Sequence, residues 1–223
     1  MLIAEDVLLL ATDDATGKAT ISALQLDPAL AGAVLIELVV AGRVNLLSEE
    51  RQAKVVVTDG TPLGDPVLDV ALQSLIDKGP CKPVQAIRLL AKGLRARLND
   101  LLEQRGILRR ESGKVLGLFP TTRWPARDSG PEQDVRALVV GVLLNGQEPD
   151  GRTAAVISVL TAADMLKTVV QRPDIKAAKA RGKDIGAGNW AGDSIRKVIQ
   201  ETQAAMTAAV MVSTTAAIAG GSS

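Results

Sequence analysis

The sequence predicts a mainly α fold: a single compact helical domain with a central apolar helix and small β-hairpins. Apolar residues recur at helical spacing through most of the 223-residue chain, and the candidate strands are short and come in neighbouring pairs. A chain of this length can bury a substantial hydrophobic core, and its sequence contains no internal repeat. We therefore expect one domain over residues 1–219 and a flexible Gly-Ser tail over residues 220–223.

The first part of the chain is predicted to hold two helices and several short strands. Asp27 and Pro28 form a helix-start signal, in which a side-chain oxygen caps the helix and proline takes the first helical position. The stretch that follows is apolar almost all round, which is typical of a helix at the centre of a fold. In order, the predicted elements are an amphipathic helix over 3–10, a strand over 18–24, the central helix over 28–41, and two short strands over 43–48 and 54–58.

The middle of the chain contains the most regular helical pattern. Asp65 and Pro66 repeat the helix-start signal, and a Gly-Pro pair ends the helix that follows. Apolar residues then recur at spacings of three and four from Val84 to Leu101, which predicts one long helix ending near Gly106. Beyond it, the predicted elements are a hairpin pairing 107–110 with 115–119 across a turn at 111–113, a loop over 120–125, helices over 132–144, 153–170 and 194–219, and a Gly-rich connector over 182–192.

The composition excludes several classes of protein. Lys and Arg number 26 and Asp and Glu number 25, so no broad basic field would attract nucleic acid. The chain has no His and a single Cys, Cys81, which excludes Ser-His-Asp and Cys-His catalysis and an intramolecular disulfide. We expect no catalytic residue, no cofactor, no metal site and no nucleic-acid partner.

Residues 1–10 lack a basic segment and a cleavage site, so we expect a cytoplasmic protein.

Seven short strings, in this order and spacing, resemble the Golgi phosphoprotein 3 family. They are EDVLLL at residues 5–10, GAVLIEL at 32–38, AGRV at 41–44, PLGDPVLDVAL at 62–72, LRARL at 94–98, EQRGIL at 103–108 and LGLFPTT at 116–122. The resemblance implies a mainly helical domain that acts as a peripheral membrane adaptor, binds phosphatidylinositol 4-phosphate and is not an enzyme. The richness in Ala, Val and Gly favours a bacterial member of the family.

The resemblance also indicates where a lipid headgroup would bind. In the family, a Trp and an Arg nine residues apart and two basic residues three apart hold the headgroup. The matching strings place the first pair at Ser22 and Ala31 and the second pair at Lys92 and Arg95. Because only the second pair is basic here, the resemblance implies binding to anionic headgroups with weakened specificity. The alternative is a soluble interaction or scaffold module that binds a protein partner and no lipid.

Two groups of basic residues are candidates for membrane contact. Arg88, Lys92 and Arg95 would lie along one side of the predicted long helix, either as a solvated face or as an anion-binding patch. Arg123 and Arg127 flank Trp124, which favours either a membrane-interface loop or an indole folded back onto the domain. In the family this hairpin region, residues 107–127 here, is implicated in membrane contact and self-association, so the resemblance implies a homo-oligomer.

Glu37 is the only charged residue within the predicted central helix. A general base needs a partner group, and none is identifiable from the sequence. We therefore expect Glu37 to be buried and bonded to backbone, with a pocket-lining role as the alternative. Asp65 is expected to cap the helix that follows it, and Asp69 to sit in the first turn of that helix.

Overall fold

Helices make up most of the described fold, which confirms the predicted mainly α class. The protein is represented by a computed structural model that describes residues 1–49, 52–115, 119–187, 200 and 202–208. The numbered helices are α1 (Ile3–Leu10), α2 (Ala23–Val40), α3 (Pro66–Lys78), α4 (Pro83–Leu90), α5 (Leu94–Gln104), α6 (Gly130–Leu144), α7 (Gly151–Ala162) and α8 (Ile175–Gly186). The strands form two antiparallel hairpins, β1 (Val44–Glu49) with β2 (Gln52–Val57) and β3 (Glu111–Val115) with β4 (Phe119–Arg123).

Helix α2 is the centre of the core, as its apolar sequence predicts. It packs against α1, α3, α4, α5 and α7, so nearly every side of the helix meets another element. All residues from Ala29 to Ile36 are buried. By length and composition alone α2 could cross a bilayer, but 61% of it is buried inside the fold, which is the pattern of a core helix.

The start of α2 differs from the prediction. The strand expected over residues 18–24 is absent: Ala19 makes one isolated bridge with Thr12, and the helix already begins at Ala23. Leu26 is fully buried, and docking of this side chain in the core extends the helix before Pro28. Pro28 therefore lies inside the helix and removes one backbone hydrogen bond near its solvent-facing end.

Helix α1 is not amphipathic, because all eight of its residues are buried. Its two acids are paired with arginines from distant helices. Arg105 lies 2.9 Å from Glu5, and Arg152 lies 2.6 Å from Asp6. Burying a carboxylate is costly unless it is paired and hydrogen-bonded, and here both conditions are met. The alternation of apolar and acidic residues thus reflects buried ion pairs, not a solvent-facing side.

The long helix predicted from Val84 to Leu101 is two helices, α4 and α5. The break occurs at Gly93, which has φ +66°, a left-handed conformation that glycine adopts without the steric cost other residues incur. The Arg97 guanidinium folds back over the break and donates from Nη2 to the Lys92 carbonyl at 3.1 Å. The apolar spacing continues across the break because α4 and α5 both bury their apolar residues in one core.

The second hairpin is shifted from the predicted register. Glu111 pairs with Arg123 and Val115 with Phe119, so the predicted turn at 111–113 lies within strand β3. The segment expected to form the first strand contains Ile107 and Leu108, whose side chains are buried in the core. Anchoring of these two residues moves the hairpin further along the chain.

The last third is helical, with different boundaries. Helix α6 confirms the prediction, whereas α7 ends at Ala162, eight residues early, and 3₁₀ turns follow. The first part of the predicted connector is the end of α8. Its Gly182 allows close packing, because a Cβ there would lie 2.5 Å from the Thr161 hydroxyl of α7. Of the helix predicted over 194–219, residues 200 and 202–208 are helical and the others lie outside the described residues.

Candidate anion-binding site

Three basic residues lie around the junction of α4 and α5, and we call Arg88, Lys92 and Arg95 the basic corner. Arg88 lies in the last turn of α4, Lys92 in the link and Arg95 in the first turn of α5. Because the helix is broken here, they do not lie along one helix face as predicted. Arg88 and Lys92 are exposed, and their side chains have no ion-pair partner among the described residues.

Arg95 differs from the other two because it already has an acidic neighbour. Its Nε lies 3.3 Å from Oδ1 of Asp27 on α2, and the two side chains are 39% and 33% exposed. Oδ1 is buried and has no aligned hydrogen bond, so the contact is an ion pair without good hydrogen-bond geometry. Burial raises the pKa of Asp27, and Arg95 opposes that increase. The chain's own carboxylate thus occupies one side of the Arg95 guanidinium.

The two substituted family positions contribute little to a ligand site. Ser22 precedes α2, is exposed, and donates from its hydroxyl to Oε1 of Gln25 at 3.3 Å. Ala31 is fully buried within α2 and presents no polar group. Asp27 lies one helical turn before Ala31 on the same side of α2. A carboxylate therefore faces α5 close to the position where the family resemblance calls for an arginine.

A separate cavity of about 350 Å³ lies between the α1–α2 link, α5 and β4, and we call it the α5–β4 cleft. Its apolar side includes Leu8, Leu26 and Trp124. Its polar lining residues, three of them cationic, are Thr12, Lys18, Arg95, Asn99, Thr121, Thr122 and Arg123. Of the two groups named from sequence, the cleft brings together Arg95, Arg123 and Trp124. Arg88, Lys92 and Arg127 do not line it.

Trp124 forms a fixed wall of this cleft. The indole is half-buried against the core, and the Arg110 guanidinium lies 5.4 Å from the ring centroid. The Trp124 amide donates to the Gly17 carbonyl at 3.1 Å. Gly17 has φ +63°, and a Cβ there would overlap the backbone of Trp124 and Pro125. The segment after β4 is therefore held tightly against the α1–α2 link, in the arrangement expected if the indole folds back.

Glu37 lies away from these groups and has a structural contact. Its Oε1 accepts a hydrogen bond from the Ile3 backbone amide at 2.9 Å, as the structural interpretation predicts. Oε2 is buried without a hydrogen-bond partner, and burial raises the pKa of Glu37 to about 7. Asp65 caps α3 by accepting from two backbone amides, which confirms its predicted role. Among the described residues, no three His, Cys, Asp or Glu side chains are placed to hold a metal ion.

Sequence reasoning missed the cleft as a unit. Lys18 and Asn99 stand in no recognisable motif, and Thr121 and Thr122 belong only to a string that resembles the family. Lys18 lies about 80 residues before Asn99 in the sequence, and further still before Thr121 and Thr122. The backbone hydrogen bonds from Trp124 to Gly17 and from Ala126 to Asp14, together with the packing of α5 on α1, bring them together.

The described residues form a mainly helical domain with two small hairpins, which places the chain in the mainly α class. The sequence profile of the family described as Golgi phosphoprotein 3 (GPP34) matches residues 3–202, and the chain belongs to that family. Vacuolar protein sorting-associated protein 74 of Eremothecium gossypii is 26% identical over 164 residues, which are 65% of this chain and 49% of that protein. The chain thus spans about half the length of this curated relative. The predicted family is confirmed.

Proposed function

We propose that this protein is a non-enzymatic adaptor that docks on anionic membrane surfaces through the basic corner. The observation that carries the proposal is that Arg88 and Lys92 are exposed and lack acidic partners among the described residues. Membership of the Golgi phosphoprotein 3 (GPP34) family supports an adaptor function over catalysis. The protein would then be cytoplasmic and peripherally attached to the membrane. A bacterial source remains a prediction from composition.

Headgroup specificity would be weak for two reasons. Ala31 supplies no cation, and Asp27 competes with any anion for Arg95. A basic residue near an anionic membrane contributes about 1 kcal/mol, so Arg88 and Lys92 together would contribute about 2 kcal/mol. This attraction acts over a Debye length of about 8 Å at physiological salt and weakens as salt is added. Binding through the corner alone would therefore be weak and salt-dependent.

A second contact would be needed for stable docking. Arg123, Trp124 and Arg127 are the candidates on the same chain, because Arg127 is exposed and Trp124 is only half-buried. Self-association through the region 107–127 would double the number of cations facing the membrane. Either arrangement converts weak single contacts into avid binding, because the second contact forms at high effective concentration.

Co-sedimentation with vesicles tests this proposal. The vesicles contain phosphatidylcholine alone, phosphatidylcholine with phosphatidylglycerol, or phosphatidylcholine with phosphatidylinositol 4-phosphate, each at low and physiological salt. We expect binding to both anionic vesicles, reduced by salt and by the double change Arg88→Ala and Lys92→Ala. The control with the same charge change is Lys78→Ala with Lys176→Ala, since both lysines are exposed. Equal binding by the two double variants would rule out the basic corner.

The alternative is an interaction module that binds a protein and no lipid. The ion pair between Asp27 and Arg95 favours it, because that pair lowers the positive charge available at the corner. No sedimentation with any vesicle, together with a defined protein complex in solution, would support this alternative. Loss of that complex on changing Arg88 and Lys92 would place the partner on the same surface.

A further inference from the structure

The α5–β4 cleft concentrates positive charge from three separate parts of the chain. Lys18 comes from the α1–α2 link, Arg95 from α5 and Arg123 from β4. Of the described residues that line the cleft, none is acidic. Among the described residues, the ion pairs of these three cations involve one acid, Asp27, which pairs with Arg95 and does not line the cavity. Such a cavity favours an anionic ligand.

Two donors in the cleft have no partner in the described part of the chain. The Nε of Arg123 is buried and makes no hydrogen bond. Asn99 is only 9% exposed, and its side-chain amide has no hydrogen bond among the described residues. Buried polar groups are nearly always hydrogen-bonded, because an unsatisfied one carries the full cost of losing water. This cost applies to the Nε of Arg123, whereas the amide atoms of Asn99 are not sealed from solvent. Both groups are free to bond a ligand that fills the cavity.

The chemistry of the lining selects the kind of anion. The planar guanidinium group of arginine matches the geometry of phosphate oxygens and can bind two of them with parallel hydrogen bonds. Thr121 and Thr122 add hydroxyl donors beside Arg123. A volume of about 350 Å³ is within the range of small-ligand sites, and the Trp124 wall offers an apolar surface to the remainder of the molecule. These features fit a phosphate with free oxygens attached to a small organic group.

We propose that the α5–β4 cleft binds a phosphate monoester, with Arg95 and Arg123 as its charged donors, Asn99 as a neutral donor and Lys18 at the rim. The site shares only Arg95 with the positions derived from the family resemblance. It rests on the proposed membrane function only where a lipid carries the phosphate; a free phosphate monoester would satisfy the same groups.

Titration calorimetry with glycerol 3-phosphate and with inorganic phosphate tests the free ligand. We expect Arg123→Gln to weaken glycerol 3-phosphate binding about tenfold or more, equivalent to about 1.4 kcal/mol. Arg172→Gln is the control, because it removes the same charge from an exposed position outside the cleft. Trp124 fluorescence in a Trp190→Phe background gives a second measurement that leaves the cleft residues unchanged. Phosphate should change that emission.

Vesicles distinguish the source of the phosphate. Phosphatidic acid carries a phosphate monoester and phosphatidylglycerol a diester, so we expect preference for phosphatidic acid that Arg123→Gln abolishes. Binding of free phosphate without vesicle binding would support the cleft and contradict the membrane function. Vesicle binding that depends on Arg88 and Lys92 but not on Arg123 would keep the membrane function and overturn the cleft. The cleft proposal would also be overturned by two results together: Trp124 emission that responds to neither glycerol 3-phosphate nor inorganic phosphate, and vesicle binding by Arg123→Gln equal to that of wild type.

Discussion

Replacing Asp27 with Asn should strengthen anion binding at the basic corner. The substitution removes the carboxylate that pairs with Arg95 and keeps a side chain of nearly the same shape. Arg95 would then offer its full charge to an external anion. The fold should tolerate the change, because Asp27 is itself partly desolvated and its Oδ1 lacks a hydrogen bond. We expect the free energy of unfolding to change by less than about 1 kcal/mol.

The size of the effect follows from the 3.3 Å separation of Arg95 Nε and Asp27 Oδ1. Coulomb's law gives about 1 kcal/mol at the dielectric constant of water and about 5 kcal/mol at an effective value of 20. The two side chains are 39% and 33% exposed, so solvent screens the pair and the lower value applies. If Asp27→Asn frees Arg95 from an attraction of about 1 kcal/mol, the variant should bind anionic vesicles about fivefold more tightly than wild type.

Flotation with phosphatidylglycerol vesicles is the assay, because this lipid does not change charge near neutral pH. Burial raises the pKa of Asp27, so protonation neutralises it at a higher pH than an ordinary aspartate. Wild-type binding should therefore increase as the pH falls through that pKa, and Asp27→Asn should lack this increase. Asp77→Asn is the matched control at an exposed position. If Asp27→Asn changes the affinity for vesicles by less than twofold, or if Asp77→Asn gives an equal gain, then Asp27 does not compete with the membrane for Arg95.

Three further predictions concern stability, and urea unfolding measures all of them. The pKa of Glu37 is about 7 in the fold against 4.5 ordinarily, so ionisation of this carboxyl destabilises the fold progressively as the pH rises between these values. The free energy of unfolding of Glu37→Gln should therefore rise by about 3 kcal/mol relative to wild type between pH 5 and pH 8. A difference that stays constant over this range would contradict the prediction. Arg105→Ala leaves the fully buried Glu5 without its cation and should cost about 3–5 kcal/mol, whereas the exposed Arg109→Ala should cost under about 1 kcal/mol. Gly93→Ala forces a side chain into φ +66° and should cost about 1–2 kcal/mol; no loss would mean that the break between α4 and α5 does not need glycine.

The elements predicted well from sequence are those with strong local signals. Helix α3 has both an aspartate cap and a proline at its first position, and the strands of the first hairpin are short and apolar. The predictions failed where packing overrides a local signal. Leu26 extends α2 before Pro28, and the apolar spacing from Val84 to Leu101 continues although Gly93 breaks the helix.

The candidate site was only partly predictable for the same reason. The basic residues of the corner could be named from spacing and resemblance, but the contact between Asp27 and Arg95 joins residues 68 positions apart. Likewise, Arg123 and Trp124 are neighbours in the sequence, yet their position across the cleft from Lys18 depends on the backbone hydrogen bond between Trp124 and Gly17. Local sequence patterns do not encode which distant side chains become neighbours.

The break at Gly93 has a geometric effect on how the protein would meet a flat surface. A continuous helix would lie along a membrane as a rod and fix the direction of its axis. The break instead leaves Lys92 in the short link between two separate helices. A contact at one short link does not fix an axis, so the orientation of the domain on a membrane would be set by whichever second contact engages. The link would recruit the protein, and the second contact would decide which face turns away from the membrane.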